Sequence, residues 1–236
     1  MKNIKKHFLL LLLPMFCLTG CELFGLQLQQ PAEFDPTKGT YDNQLNKSGW
    51  AFIQSRQDLF SDLREAVIYS EVDSNLFNAP NHTYLLLTNQ SLTSTTSSDN
   101  SYWYLSKVFD PNFPNDSTKM VRPTSWEQFP KEQVKQFLLY HMVKTALSYN
   151  EIAEQTKGDL TFYATECTLP NGYVAFQEKK EGAMSIYLNN FPTHYVLNAK
   201  PRTSNLQTEN GSYIHVMDKW LNYPSNQDLI DYPIHN

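Results

Sequence analysis

Apolar and polar positions divide the chain into stretches of distinct character. The first residues carry Lys2, Lys5 and Lys6 and then run apolar from Phe8 to Phe16. A basic start before a short apolar run predicts a secretory signal over residues 1–20. The 13 residues from Phe8 to Gly20 are too few to cross about 30 Å of hydrocarbon as a helix. Residues 22–49 show no periodicity. They are rich in Gln27, Gln29 and Gln30, then Pro31, Pro36 and Gly39, which predicts a flexible tether. From Trp50 the pattern changes: Leu59, Phe60, Leu63, Val67 and Ile68 recur at helical spacing, with Asp58 placed to cap the start. A β-rich run, Thr83–Leu87, closes on Thr88-Asn89.

Residues 93–125 break this order. Ser91 to Ser101 is almost wholly Ser, Thr, Asp and Asn, and Asp110 to Pro123 contains three prolines. Such a stretch has little to bury and predicts a long insertion. Tyr102, Trp103 and Tyr104 interrupt it, either to pin it to the body or to present an exposed patch for a ligand; pinning is the plainer reading. A second helix is signalled by Pro130 ahead of Val134, Phe137 and Leu138. It runs into Leu139-Tyr140-His141-Met142-Val143, which reads as a buried strand. Strands are then predicted over 161–165, 173–177, 184–188, 195–198 and 213–217, with Asn171-Gly172 as a hairpin turn signal. Helices early and strands late predict an α+β domain.

Composition narrows the function. With 14 Tyr, 14 Phe and 4 Trp the chain can fill a core, and with only 8 Gly it is a poor source of phosphate-binding loops. A net charge of −5 speaks against nucleic acid as a partner. Leu18-Thr19-Gly20-Cys21 resembles the bacterial lipobox. That resemblance implies cleavage before Cys21, acylation of Cys21 and attachment to a lipid bilayer in the cell envelope. Glu22 stands where an inner-membrane protein would carry the retaining aspartate, which favours the outer membrane and a surface-exposed domain. The mature chain loses three basic residues and no acidic ones, so its charge falls to −8, and Cys167 is left as the one free thiol. Several acyl chains at about 0.8 kcal/mol per buried methylene make such an anchor long-lived.

Three segments, in order, resemble the fasciclin domain family. Thr83-Tyr84-Leu85-Leu86-Leu87-Thr88-Asn89 is similar to its first box, with Leu86-Leu87 in place of Ala-Pro. Leu138-Leu139-Tyr140-His141-Met142-Val143 is similar to its Tyr-His box. Asn210-Gly211-Ser212-Tyr213-Ile214-His215-Val216-Met217-Asp218 is similar to its closing box, with one extra residue after the glycine. The resemblance implies a fasciclin-like β-sandwich or wedge, with the helices packed early in the domain. It would cover residues 50–223, preceded by an anchor and tether over 21–49 and followed by a tail over 224–236. Thr83, Thr88, Asn89, Tyr140, His141, Asn210, Gly211, His215 and Asp218 are then motif residues with structural roles.

Catalytic candidates are few. His141 and His215 could serve as a base or as metal ligands, but no carboxylate or cysteine lies at ligand spacing, so satisfied core histidines are the plainer reading. Cys167 sits between Glu166 and Thr168 with no activating group in sequence. The expectation is a membrane-anchored adhesion or interaction module without cofactor, metal or catalysis, whose partner is an unknown envelope protein or extracellular glycan. The alternatives are an accessory glycan-binding lipoprotein of a nutrient-uptake system, using the aromatic residues, and an enzyme using His141, His215 or Cys167.

Overall fold

The structure is a computed structural model that describes residues 22–23, 26–27, 43–181, 183–192 and 199–235. The signal segment, Cys21, His194 and the strand expected over 195–198 lie outside the described residues. Among the described residues no helix is long and apolar enough to cross a membrane. The chain divides into two units, Met1–Asp42 and Asn43–Asn236. In the first, β1 (Glu22–Leu23) and β2 (Leu26–Gln27) pair antiparallel, Glu22 opposite Gln27.

The second unit opens with α1 (Gly49–Ser55), capped by the Ser48 hydroxyl, and α2 (Gln57–Ser70). Gly49 sits where a Cβ would meet the Phe77 carbonyl at 2.2 Å, so no larger residue fits there. Asp58 does not cap α2. The N-cap is Arg56, which makes no side-chain cap bond, and the Asp58 carboxylate instead takes two hydrogen bonds from the Arg56 guanidinium at 2.9 and 2.8 Å. Next come β3 (Thr83–Leu87), α3 (Asn89–Thr93), α4 (Tyr102–Leu105), the hairpin β4 (Val108–Phe109) and β5 (Met120–Val121), and α5 (Lys131–Tyr140). After β6 (Met142–Val143) come α6 (Tyr149–Thr156), β7 (Thr161–Ala164), β8 (Tyr173–Glu181), β9 (Ala183–Leu188), β10 (Pro201–Gln207), β11 (Tyr213–Met217) and α7 (Asn226–Asp231).

The stretch 139–143 is not one strand. α5 continues through Tyr140, His141 ends it, and only Met142–Val143 pair in a sheet. A continuous apolar run fits a buried helix and a buried strand equally well, and the register of Val134, Phe137 and Leu138 carries on through it. Asn171-Gly172 likewise does not form a two-residue turn. Ala164 pairs with Tyr173 across a longer loop, and Gly172 is required because a Cβ there would lie 2.7 Å from the Cys167 carbonyl oxygen.

Two sheets organise the unit, and the architecture is α+β. A four-stranded sheet has the order β10-β11-β3-β6, and a three-stranded one has the order β7-β8-β9. β11 lies parallel to β3 in continuous register, Tyr213 opposite Thr83 through Met217 opposite Leu87. All five residues of β3 are buried, which explains their unbroken apolarity. The second sheet is buried on both faces, with period-two alternation. Tyr163, Val174 and Phe176 join the main core, while Phe162 and Ala175 face a small cluster with Leu160 and Phe191. Leu229 and Tyr232 cover that cluster.

Both ends of the expected domain shift. Residues 43–49 belong to the compact unit and not to a tether: Leu45 donates its N–H to the Gln207 carbonyl at 2.8 Å. Residues 224–236 are no loose tail, since Phe162 donates to the Pro233 carbonyl and His235 to the Phe162 carbonyl.

Candidate functional site

The three sequence boxes meet in space, and the fold spends their polar groups on tying one another and the neighbouring segments together. Thr83 donates its hydroxyl to the Thr145 carbonyl at 2.7 Å and accepts the Leu147 N–H at 2.8 Å. Thr88 caps α3 and donates to Asp218 Oδ1 at 3.0 Å, so the first box holds the closing one. Asn89 accepts the Asp62 N–H and donates to Ser61, tying α3 to α2. Asn210 donates to the Asn78 carbonyl at 2.8 Å. Gly211 has φ +79° with nothing within 4 Å of its missing Cβ, so backbone conformation alone requires glycine there.

The Tyr-His box lies at the centre. Tyr140 is fully buried, and its hydroxyl accepts from Asn189 Nδ2 at 2.7 Å and lies 3.0 Å from both the Tyr173 and Asn222 carbonyls. Burial pushes its phenol far above the usual tyrosine range. His141 Nδ1 lies 2.8 Å from the Phe137 carbonyl, which can only accept, so the proton sits on Nδ1. Its Nε2 accepts the Leu221 N–H at 3.2 Å. His215, in β11, shows the reverse: Nε2 faces the Leu147 carbonyl at 3.1 Å and Nδ1 accepts the Asn205 N–H at 3.4 Å. Both rings are buried and neutral, and loss of hydration brings each imidazole down to about 4. A histidine with both nitrogens answered by backbone has no lone pair left for a metal or a substrate. Among the described residues no group of His, Cys, Asp and Glu could hold a metal ion.

Cys167 is buried, its Sγ 3.2 Å from Gln136 Oε1, and burial pushes its thiol up, away from the reactive thiolate. The structure does not bring it together with either histidine as a hydrogen-bonded pair.

The aromatic residues of the insertion pin it to the body. Tyr102 is buried and stacks on Phe137 with centroids 4.2 Å apart, meets Trp220 edge-on at 5.3 Å, and accepts a hydrogen bond from Gln133. Trp103 is half-buried against Trp126, and the Arg122 guanidinium lies 3.7 Å from the centroid of the half-buried Tyr104 ring. Tyr102 keeps only a small part of its surface free, in the wall of a hollow it shares with Phe137 and Trp220, and Trp103 and Tyr104 present only part of theirs.

The insertion does expose an apolar surface, which the sequence did not reveal as one. In its hairpin Val108 and Val121 form the inward cross-strand pair, while Phe109 and Met120 form the outward one. Phe109, Met120, Leu105 and Phe113 are half of the eight large hydrophobic residues exposed among the described residues. Phe109 and Met120 also form a wall of a hollow of about 600 Å³ that faces Phe129 and Pro130. A second hollow, of about 400 Å³, lies between Phe137, Trp220 and Tyr223.

Comparison with known proteins adds a similarity to one family. The sequence profile of the fasciclin domain matches residues 108–224, which take in the Tyr-His and closing boxes but not the first. No curated protein matches the chain. Among solved structures the chain is similar to a FAS1 domain pair from the insect cell adhesion molecule fasciclin I, at 17% identity and a TM-score of 0.45. The similarity covers 69% of this chain and 46% of that molecule, so the chain spans about half its length.

Proposed function

We propose, from the fasciclin match over 108–224, that this chain is a lipid-anchored protein of the bacterial cell envelope that works by non-covalent contact as an adhesion or interaction module. The observation that carries the reading is the apolar outward face of the insertion hairpin. An exposed strand face is ordinarily polar, and the outward pair of Phe109 and Met120, with Leu105 and Phe113 also exposed in the same insertion, marks a contact surface. The motif histidines support a non-catalytic role, because every ring nitrogen of His141 and His215 is engaged by backbone. The lipobox ending at Cys21 supports the anchor, and the residues between it and Asn43 are long enough to lift the compact unit off a membrane.

The test is attachment. Bacterial cells expressing the full chain, a Cys21→Ala variant and a Phe109→Ser/Phe113→Ser double variant are compared in labelled-lipid incorporation, protease shaving and cell-attachment assays. The expected pattern is lipid lost in Cys21→Ala, digestion of the wild type on intact cells, and attachment reduced roughly tenfold in the double variant, in line with loss of a buried aromatic contact. Protection from protease overturns surface exposure, and attachment indifferent to the double variant overturns the hairpin as the contact surface.

A further inference from the structure

The hollow of about 400 Å³ between α5 and residues 220–223 is walled by four aromatic side chains, Tyr102, Phe137, Trp220 and Tyr223. Its size falls within the range of small-molecule sites, about 300–1,000 Å³. The fold fixes these rings from behind. Trp220 donates its Nε1–H to the Asn100 carbonyl at 3.0 Å and meets Tyr102 edge-on. Tyr102 takes a hydrogen bond from Gln133 at 3.0 Å, and the Tyr223 ring lies 4.3 Å from that of Tyr140. Leu169 shares the wall and is 42% exposed, which keeps an apolar side chain at the surface there.

One charged side chain, Glu132, lines the same hollow. α5 sorts its charges by face. Lys131 pairs with Glu71, and Lys135, one turn on, acts on that same carboxylate. Glu132 and Gln136, also one turn apart, belong to the hollow instead. An exposed glutamate ordinarily keeps its rotamer freedom. Here the Gln136 amide donates to Glu132 Oε1 at 2.6 Å, and Gln136 is itself only 7% exposed, its Oε1 accepting the Thr168 N–H at 2.9 Å. A buried amide thus holds a carboxylate beside the aromatic wall. Among the described residues no basic side chain lines the hollow or pairs with Glu132.

These two features together select the kind of ligand. An anion would meet Glu132 with no basic group to offset it. A hydrocarbon would strip water from the carboxylate and put nothing in its place. A neutral alcohol would supply a hydrogen bond but no charge for the rings to attract. An alkylated ammonium answers both features: its charge faces a carboxylate, and its weakly hydrated C–H groups lie against aromatic rings, whose quadrupole attracts a cation. We propose that this hollow binds a small organic cation, an ammonium carried on an apolar body. Glu132 pairs with the charge, and the rings of Trp220 and Tyr223 receive the alkyl groups. The site is separate from the hairpin face proposed above for contact, and stands whether or not that face binds a partner.

The full-length protein, in a non-ionic detergent, is titrated with choline and benzyltrimethylammonium. Neohexyl alcohol, the neutral counterpart of choline with carbon in place of nitrogen, and benzoate serve as comparisons. Calorimetry and tryptophan fluorescence provide the readouts. Both cations are expected to bind and to change the emission, the alcohol to bind roughly tenfold more weakly than choline, and benzoate to give no response. Glu132→Gln keeps an acceptor for Gln136 and removes only the charge. It is expected to weaken each cation about fivefold, as loss of one ion contact near water does, and to leave the melting temperature of the free protein unchanged. No response to either cation overturns the proposal, as does alcohol binding within about twofold of choline. Cation affinity within about twofold of wild type in Glu132→Gln overturns it as well. Heat of binding without any change in tryptophan emission would place the cation away from Trp220, and would overturn it too.

Discussion

His141 and His215 hold the centre of the molecule as neutral rings, each donating from one nitrogen and accepting at the other. Unfolding returns them to water, where the imidazole titrates at 6.5, whereas in the fold it titrates at about 4. The folded state thus binds fewer protons than the unfolded one between these values. Stability contributed by the neutral rings is fully present above pH 6.5 and is lost as the pH falls towards 4. Each ring accounts for about 3 kcal/mol across that window, a sizeable share of the stability of a typical domain. Denaturant midpoints measured from pH 7 to pH 5, where most carboxylates stay ionised, should fall steeply with acid. In His215→Gln the slope between pH 6.5 and 5 should drop by about half; an unchanged slope would mean that this ring is not buried neutral. The residue types and their place in the motifs are legible in sequence. Most of their partners are not: Phe137 lies one turn back on the same helix, but the Leu147, Leu221 and Asn205 backbone groups come from two loops and β10, whose position depends on the whole fold.

Elements are legible where apolar periodicity is strong, as in β11, β3 and the first turns of α5. They escape sequence reasoning where polar residues carry them. β10 is Pro-Arg-Thr-Ser-Asn-Leu-Gln, half-buried or exposed throughout, and it pairs with β11 through register shifts, so no alternation betrays it. α6 escapes despite a signal in the letters: Ser148 and Glu151 form a reciprocal capping box. The polar character of the insertion is plain in sequence, but one ring fixes it in place. Tyr102 touches Phe137, Trp126, Phe129 and Trp220 at once, and α4 exists to place it, capped by Ser101. Tyr102→Ala should cost about 3–5 kcal/mol, the usual range for deleting a large buried aromatic. It should also speed hydrogen exchange over residues 94–125 more than in the two sheets. Uniform exchange across the molecule would show that the insertion is held by other contacts.

At the scale of the whole molecule, the two sheets are closed by segments far apart in sequence. β11 lies beside β3, and the last residues lie along β7. Sequence reasoning ends the domain at residue 223 because the closing box ends near there and residues 224–236 are few and mostly polar. The structure gives those final residues a physical task. Ile234 bridges Phe162 on the open edge of β7, with Phe162 bonded to Pro233 and His235, while Leu229 and Tyr232 roof the cluster of Leu160, Phe162, Ala175 and Phe191. An uncovered strand edge beside exposed Phe162 would be a template for pairing with another chain. A chain ending after Pro224 should therefore lose on the order of 4 kcal/mol, from two backbone hydrogen bonds and the packing of two apolar side chains. It should also form concentration-dependent aggregates that full-length protein does not. Denaturant titration and light scattering read the two effects separately. If the shortened chain keeps its stability and scatters no more light than the full-length protein, the last segment does not close the second sheet, and the domain ends where the motif does.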